Sequence, residues 1–124
     1  MQKVFLVEDS SLVLERLIAL LGALPNTQIV GHAAGAEESV RAILATRPDV
    51  VVLDFKLAQG TGFDVLIELH DKEPGIDLYM LSNYCSEAYR RQAERLGARG
   101  FFDKTTELEH VCEALADRGA RTLN

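Results

Sequence analysis

Val50-Val51-Val52-Leu53-Asp54 is an unbroken apolar run that ends in a carboxylate, and it constrains the fold more than any other stretch. Valines and a leucine between turn-forming Pro48-Asp49 and a polar segment predict a strand buried on both faces, as in parallel sheets covered by helices. Asp54 then stands at the carboxyl end of that strand. In an open α/β sheet the reactive crevice lies outside the carboxyl ends of the strands, so an acid there is placed for chemistry rather than packing. A lone Asp after a strand more often caps a helix or opens a turn. Here the other strands end in polar groups too, and that favours the chemical reading.

Lys3 to Val7 is a second short apolar run, and it stops at Glu8-Asp9. Ser10 or Ser11 can cap a helix through about Leu24, with Leu17, Leu20, Leu21 and Leu24 as its buried stripe. Leu12 falls roughly opposite that stripe and Ile18 on its flank, so this helix carries more apolar surface than one sheet face needs. Gln28 to Gly31 reads as a strand, Glu37 to about Thr46 as a helix, and Arg47-Pro48-Asp49 as the break before the central strand. After Asp54, Phe55 to Gly62 form a loop whose glycines, Gly60 and Gly62, permit backbone conformations that other residues resist. Phe63 to about Lys72 is the third helix. Pro74-Gly75 turns the chain into Ile76 to Ser82, a strand ending in a hydroxyl. Glu87 to Leu96 forms a helix with a narrow apolar face and three arginines, Arg90, Arg91 and Arg95, stopped by Gly97. Gly100-Phe101-Phe102 makes a short fifth strand before Asp103-Lys104. Thr105 or Thr106 caps the last helix, and Arg118-Gly119 closes it, leaving a frayed tail through Asn124. Strands and helices that alternate with short connections predict a parallel sheet covered on both faces.

The chain has 124 residues, 48% of them hydrophobic, which suits one domain over 1–124 with a real core and leaves no room for a second. Its formal charge of −6 argues against direct binding to nucleic acid and suits a metal ion. No apolar run reaches membrane-spanning length and no leader precedes the first strand, so a cytoplasmic protein is expected. Cys85 and Cys112 lack any metal-ligand or redox spacing and read as reduced thiols. His32, His70 and His110 are scattered and take no role.

On one sheet edge the strand ends bring together Glu8, Asp9, Asp54, Ser82 and Lys104. Carboxylates this close repel unless a cation sits among them, and oxygen ligands with room for water suit Mg²⁺. The Ser82 hydroxyl and the Lys104 ammonium add donors of the kind a phosphoryl oxygen needs. The plain alternative for Lys104 is an ion pair with Asp54 or Asp9.

This constellation resembles the receiver domains of bacterial two-component response regulators, over essentially the whole chain. Glu8-Asp9 is similar to the acidic pair, Asp54 to the phosphoacceptor, Leu57 and Gly62 to the loop positions after it, Ser82 to the switch hydroxyl and Lys104 to the lysine. Phe101 stands at the switch aromatic. The resemblance implies a flavodoxin-like (βα)5 fold with strand order 2-1-3-4-5, and a non-enzymatic signalling role in which Asp54 takes a phosphoryl group from a sensor histidine kinase or phosphotransfer protein. It implies Mg²⁺ held by Asp9, Asp54 and the backbone carbonyl of Lys56, with Glu8 acting through water. Lys104 and Ser82 would take phosphoryl oxygens. Movement of Ser82 would let Phe101 turn, and the face made by the fourth helix, fifth strand and fifth helix would respond by binding an output partner or a second copy. On that face Arg90, Arg91 and Arg95 are expected near Glu107, Glu109, Glu113 and Asp117.

Some positions depart from the commonest pattern of that family. Ala58 replaces a frequent proline in the loop after Asp54, and Thr105 replaces the proline that often follows the lysine and supports a cis peptide. Asn83 stands where a small residue is usual and narrows access to Asp54. Phe101 lacks a hydroxyl. Lys56 and Tyr84, each two residues past a site group, flank the path of an attacking water and are expected to lengthen the life of the phosphorylated form. The main alternative is a Mg²⁺-dependent phosphohydrolase with an aspartate nucleophile. It needs a second carboxylate two residues after Asp54, where this chain has Lys56. A flavin module of the same fold needs a phosphate-cradling loop, and Glu8-Asp9-Ser10 would repel the phosphate.

Overall fold

The strand and helix signals alternate from end to end, and the computed structural model, which describes residues 1–84 and 86–121, shows the chain built as that alternation requires. The strands are β1 (Gln2–Val7), β2 (Thr27–Ala33), β3 (Val50–Asp54), β4 (Asp77–Ser82) and β5 (Ala98–Asp103). The helices are α1 (Ser11–Gly22), α2 (Ala36–Thr46), α3 (Gly62–Lys72), α4 (Glu87–Arg95) and α5 (Leu108–Arg121). All strand pairs are parallel and the sheet order is β2-β1-β3-β4-β5.

Alternation along the strands sorts the core into two layers. Phe5, Val7, Val51, Leu53, Leu78 and Met80 face Ile43 of α2, Val65, Leu66 and Leu69 of α3, and Ala93 of α4. Val4, Leu6, Val50, Val52, Tyr79 and Leu81 face Leu17 and Leu21 of α1 and Leu108, Val111 and Leu115 of α5. Every residue of β3 is buried, because helices cover both of its faces. The register opposes Val7 to Leu53, Asp54 to Leu81 and Ser82 to Asp103. Glu8, Asp54, Ser82 and Lys104 therefore reach one edge of the sheet.

Local chemistry explains most boundaries. Ser10 caps α1 by accepting from the Val13 amide, and α3 opens with a capping box between Thr61 and Asp64. Arg47 ends α2 in the left-handed region at φ 49°. Gly97, at φ 101°, turns the chain from α4 into β5, and β5 starts at Ala98 rather than Gly100. Neither Thr105 nor Thr106 caps the last helix. Their amides donate to the Asp103 carboxylate, which forms a turn of its own, and α5 begins later, at Leu108. That helix also runs past Arg118-Gly119 to Arg121, and only the tail at 122–124 lies outside the described residues, as does Cys85. Gly119 is buried against Gln2, so it serves close packing rather than termination.

The two loop glycines differ in purpose. Gly60 has φ 75°, a conformation that suits glycine. Gly62 needs space: a Cβ there would meet the carbonyl oxygen of Asp54 and stand 2.9 Å from the Met80 methyl. Gly62→Ala should therefore lower stability by about 2 kcal/mol through overpacking beneath Asp54. Urea unfolding of the variant beside the parent measures it, and an unchanged midpoint would contradict the packing reading.

Candidate functional site

Lys104 is carried just past β5, where its amide donates to the Ser82 carbonyl at 3.0 Å and so continues the β4–β5 pairing by one step. Its side chain folds back across the strand ends. The ammonium lies 2.7 Å from Asp54 Oδ2, 2.8 Å from Glu8 Oε1 and 3.0 Å from Glu8 Oε2. The expectation of an ion pair with Asp54 is met, but the second partner is Glu8 and not Asp9. Glu8 is buried and turned into the cluster, whereas Asp9, one residue on, is exposed.

Glu8 also accepts from the Ser10 amide at 3.1 Å. Burial pushes its carboxyl up to about 7, reinforced by the Asp54 charge and only partly offset by the hydrogen bonds from Lys104 and Ser10. Burial alone would depress the Lys104 ammonium. Its hydrogen bonds to Asp54 and Glu8, together with their charges, outweigh that effect and raise it above its ordinary value.

Ligand oxygens of Glu8, Asp9 and Asp54 lie within 4.8 Å of one another. The donor set is all oxygen. Glu8 Oε1 is buried and makes an ion-pair contact but no hydrogen bond, so the cluster retains acceptor capacity that protein donors leave unused. Those features fit a hard divalent cation.

The surrounding loops hold the remaining expected residues. Ser82 is buried at the end of β4, and its hydroxyl oxygen accepts from the Tyr84 amide at 2.8 Å. Asn83 is exposed and accepts from the Thr105 hydroxyl at 3.3 Å, a tie between the loops after β4 and β5. Lys56 is exposed and forms an isolated bridge with Thr61, closing the loop after Asp54. Leu57 is buried beneath that loop. Tyr84 is 50% exposed, with one side of its ring in an aromatic group that the residue spacing gave no means to anticipate. Phe55 sits at its centre, 4.9 Å from Phe63, 5.1 Å from Tyr89 and 6.1 Å from Tyr84 between ring centroids. The one signal available was an aromatic residue directly after Asp54.

Phe101 is turned inward, 8% exposed, and packed in the core. The Arg90 guanidinium lies 5.1 Å from its ring centroid, donates to the Phe101 carbonyl at 2.8 Å and pairs with Glu107 at 3.3 Å. Arg91 pairs with Glu87 on its own helix. The expected meeting of arginines and acids thus holds for Arg90 with Glu107, while Arg91 is engaged elsewhere.

Comparison with known proteins identifies the family and agrees with the fold. The response regulator receiver domain model matches residues 4–116, and the chain belongs to that family. It is 36% identical over 120 residues to the DNA-binding transcriptional activator DevR/DosR of Mycobacterium tuberculosis, covering 97% of this chain and 55% of that protein. It is 26% identical to the response regulator GacA of Pseudomonas aeruginosa, covering 93% of this chain and 54% of that one. The chain spans little more than half the length of these two relatives. The fold is shared with a LuxR-family two-component response regulator from Aurantimonas sp. at TM-score 0.89 and 24% identity, over 97% of this chain and 86% of that chain. It is shared as well with the response regulator domain of Thermotoga maritima CheB at TM-score 0.85 and 24% identity, over 98% and 95% of the two chains. The chain is therefore a receiver domain of two-component signal transduction. Among the described residues no helix is long and apolar enough to cross a membrane.

The raised Glu8 carboxyl has a consequence for stability in the absence of divalent ions. Between about pH 4.5 and about 7 the folded chain holds a proton on Glu8 that the unfolded chain has lost. The contribution of Glu8 to stability is thus fully present below the lower value and is lost as pH rises through the upper one. In chelator, Glu8→Gln should melt above the parent at pH 8, and this advantage should shrink as pH falls toward 4.5. Thermal melts across that range decide it, and a difference independent of pH would contradict the assignment.

Proposed function

We propose that Asp54 is the phosphoacceptor of this receiver and that Glu8, Asp9, Ser82 and Lys104 are its site partners. The observation that carries this reading is the partly buried Lys104 ammonium bound at once to Asp54 and Glu8, with Asp9 beside them. A carboxylate oxygen of Asp54 attacks the phosphorus of a phosphohistidine in line with the P–N bond. The new bond is P–O, the P–N bond breaks, and its electron pair returns to the imidazole nitrogen, which takes a proton from solvent. Lys104 and the Ser82 hydroxyl donate to the phosphoryl oxygens as charge develops on them.

Asp9, Asp54 and the Lys56 carbonyl would hold Mg²⁺, with Glu8 orienting bound water. When bound, the ion offsets the negative charge of the transferring group. The tie of Glu8 to Lys104 and the Ser10 amide supports an outer role for Glu8, and the exposure of Asp9 supports a direct one. Removing Asp9 should accordingly weaken Mg²⁺ binding more than removing Glu8.

The donor in this reading is a sensor histidine kinase or a phosphotransfer protein, and the chain works in the cytoplasm. It hydrolyses nothing as its main activity, and a phosphohydrolase would need an acid where Lys56 stands. With a charge of −6 it does not contact DNA itself. The DNA binding named for DevR/DosR belongs to a protein of which this chain spans 55%. Tyr84 and Lys56 are exposed and each lies two residues past a site group, and both are read as slowing the approach of a hydrolytic water. The half-exposed ring of Tyr84, held on Phe55, supports that role.

Incubation with acetyl phosphate and Mg²⁺ should add the mass of one phosphoryl group to the parent and none to Asp54→Asn. Chelator should abolish the gain. Intact-mass spectrometry reads all three, and labelling that persists in Asp54→Asn would assign the acceptor elsewhere.

A further inference from the structure

Lys104 has to reach back across two strand ends, and no proline follows it to stiffen the turn that aims it. What holds the turn instead is a set of side-chain contacts. The Asp103 carboxylate accepts from the amides of Thr105 at 2.8 Å and Thr106 at 3.1 Å. The amide of Asp103 donates to Glu107 Oε1 at 2.8 Å, so Glu107 closes the turn from its far side. The same Glu107 oxygen accepts from Arg90 Nη2 at 3.3 Å, and Arg90 Nη1 donates to the Phe101 carbonyl at 2.8 Å. One planar guanidinium therefore bridges the residues on either side of the Phe102–Lys104 segment and fastens it to α4.

We propose that Arg90 and Glu107 are positioning residues for Lys104: they clamp the 101–107 segment so that the ammonium is presented to Asp54. The inference rests on the reading of Asp54 and Lys104 given above. Its chemistry favours a guanidinium over an ammonium, because two donors in a fixed fork serve the Phe101 carbonyl and the Glu107 carboxylate together. The Asp103 amide and Arg90 hold the Glu107 carboxyl below its ordinary value, so the clamp is ionised at neutral pH. A plain surface ion pair has no reason to engage a backbone amide and a strand carbonyl next to a site residue. This pair does both.

The test follows the rate of labelling by acetyl phosphate together with NMR of the Lys104 amide and side-chain ammonium in the same proteins. Glu107→Ala and Arg90→Ala should label about tenfold more slowly than the parent, the scale expected when a reacting group is misplaced by a fraction of an ångström. Both should shift the Lys104 signals. Glu107→Gln keeps an oxygen for the Asp103 amide and should recover most of the rate, whereas Arg90→Lys loses the fork and should not. Glu68→Ala, which breaks an exposed ion pair with Lys72 on α3, is the neutral control. Parent-like rates in both alanine variants, or a slowing that leaves the Lys104 signals in place, would overturn the proposal. A parent that is not labelled on Asp54 rejects the site reading instead. The Lys104 signals of the variants then still decide whether the clamp positions that side chain.

Discussion

The ammonium of Lys104, held between the carboxylates of Glu8 and Asp54, is the interaction on which the rest of the arrangement depends. The Glu8 and Asp54 side chains are almost wholly removed from water, and two such anions side by side would destabilise the strand ends that carry them. The ammonium offsets that repulsion. Truncating Lys104 would leave a buried charge without its partner, a change that costs about 3–5 kcal/mol where it has been observed in proteins. The parallel register explains why the three groups meet at all. β1, β3 and β5 each deliver one of them, and β4 fills the gap between β3 and β5 with the small hydroxyl of Ser82.

Different kinds of wall flank this centre. On the side of the loop after Asp54, the rings of Phe55, Phe63, Tyr84 and Tyr89 join the starts of α3 and α4 to the loop after β4. Apolar packing of this kind tolerates small adjustments, and edge-to-face ring pairs add only about 0.5–1.5 kcal/mol each. On the side of Lys104 the contacts are directional, from Arg90, Glu107, Asp103 and the turn amides. A charge placed on Asp54 would thus meet a compliant wall and a stiff one. The stiff one leads to α4, the helix with the smallest buried face, where only Ala93 is fully enclosed.

Much of this was legible in the sequence because the informative signals were local. The run Val50 to Asp54 announced its own burial, and apolar runs ending in Glu8, Asp54 and Ser82 put those groups at one edge of the sheet. Strand order came from family resemblance, not from periodicity. The start of α5 was misplaced because Thr105 and Thr106 look like caps, and only the fold shows their amides committed to Asp103. Gly62 looked like a residue chosen for backbone freedom and is a spacer, since the crowding comes from Asp54 and Met80, of which the latter is distant in sequence. The choice of Glu8 over Asp9 as partner of Lys104 turns on which neighbour faces inward after β1 ends, a single-residue phase that composition does not encode. Arg90 reaches Phe101 and Glu107 across 11 and 17 residues, and Glu107 turns back four residues to the Asp103 amide, contacts that no hydrophobic periodicity marks.

In the proposed mechanism Lys104 is the resident counter-ion of Asp54 until a phosphoryl group takes its place as the ammonium's partner. The most direct measurement is a crystal structure of the chain with Mg²⁺ and beryllofluoride, a mimic of the phosphoryl group. Beryllofluoride is expected on an Asp54 oxygen, with Lys104 Nζ and Ser82 Oγ each within hydrogen-bond distance of a fluorine and the Lys104 contact to Asp54 released. Beryllofluoride bound elsewhere, or seated on Asp54 while Lys104 stays on the Asp54 carboxylate, would contradict it.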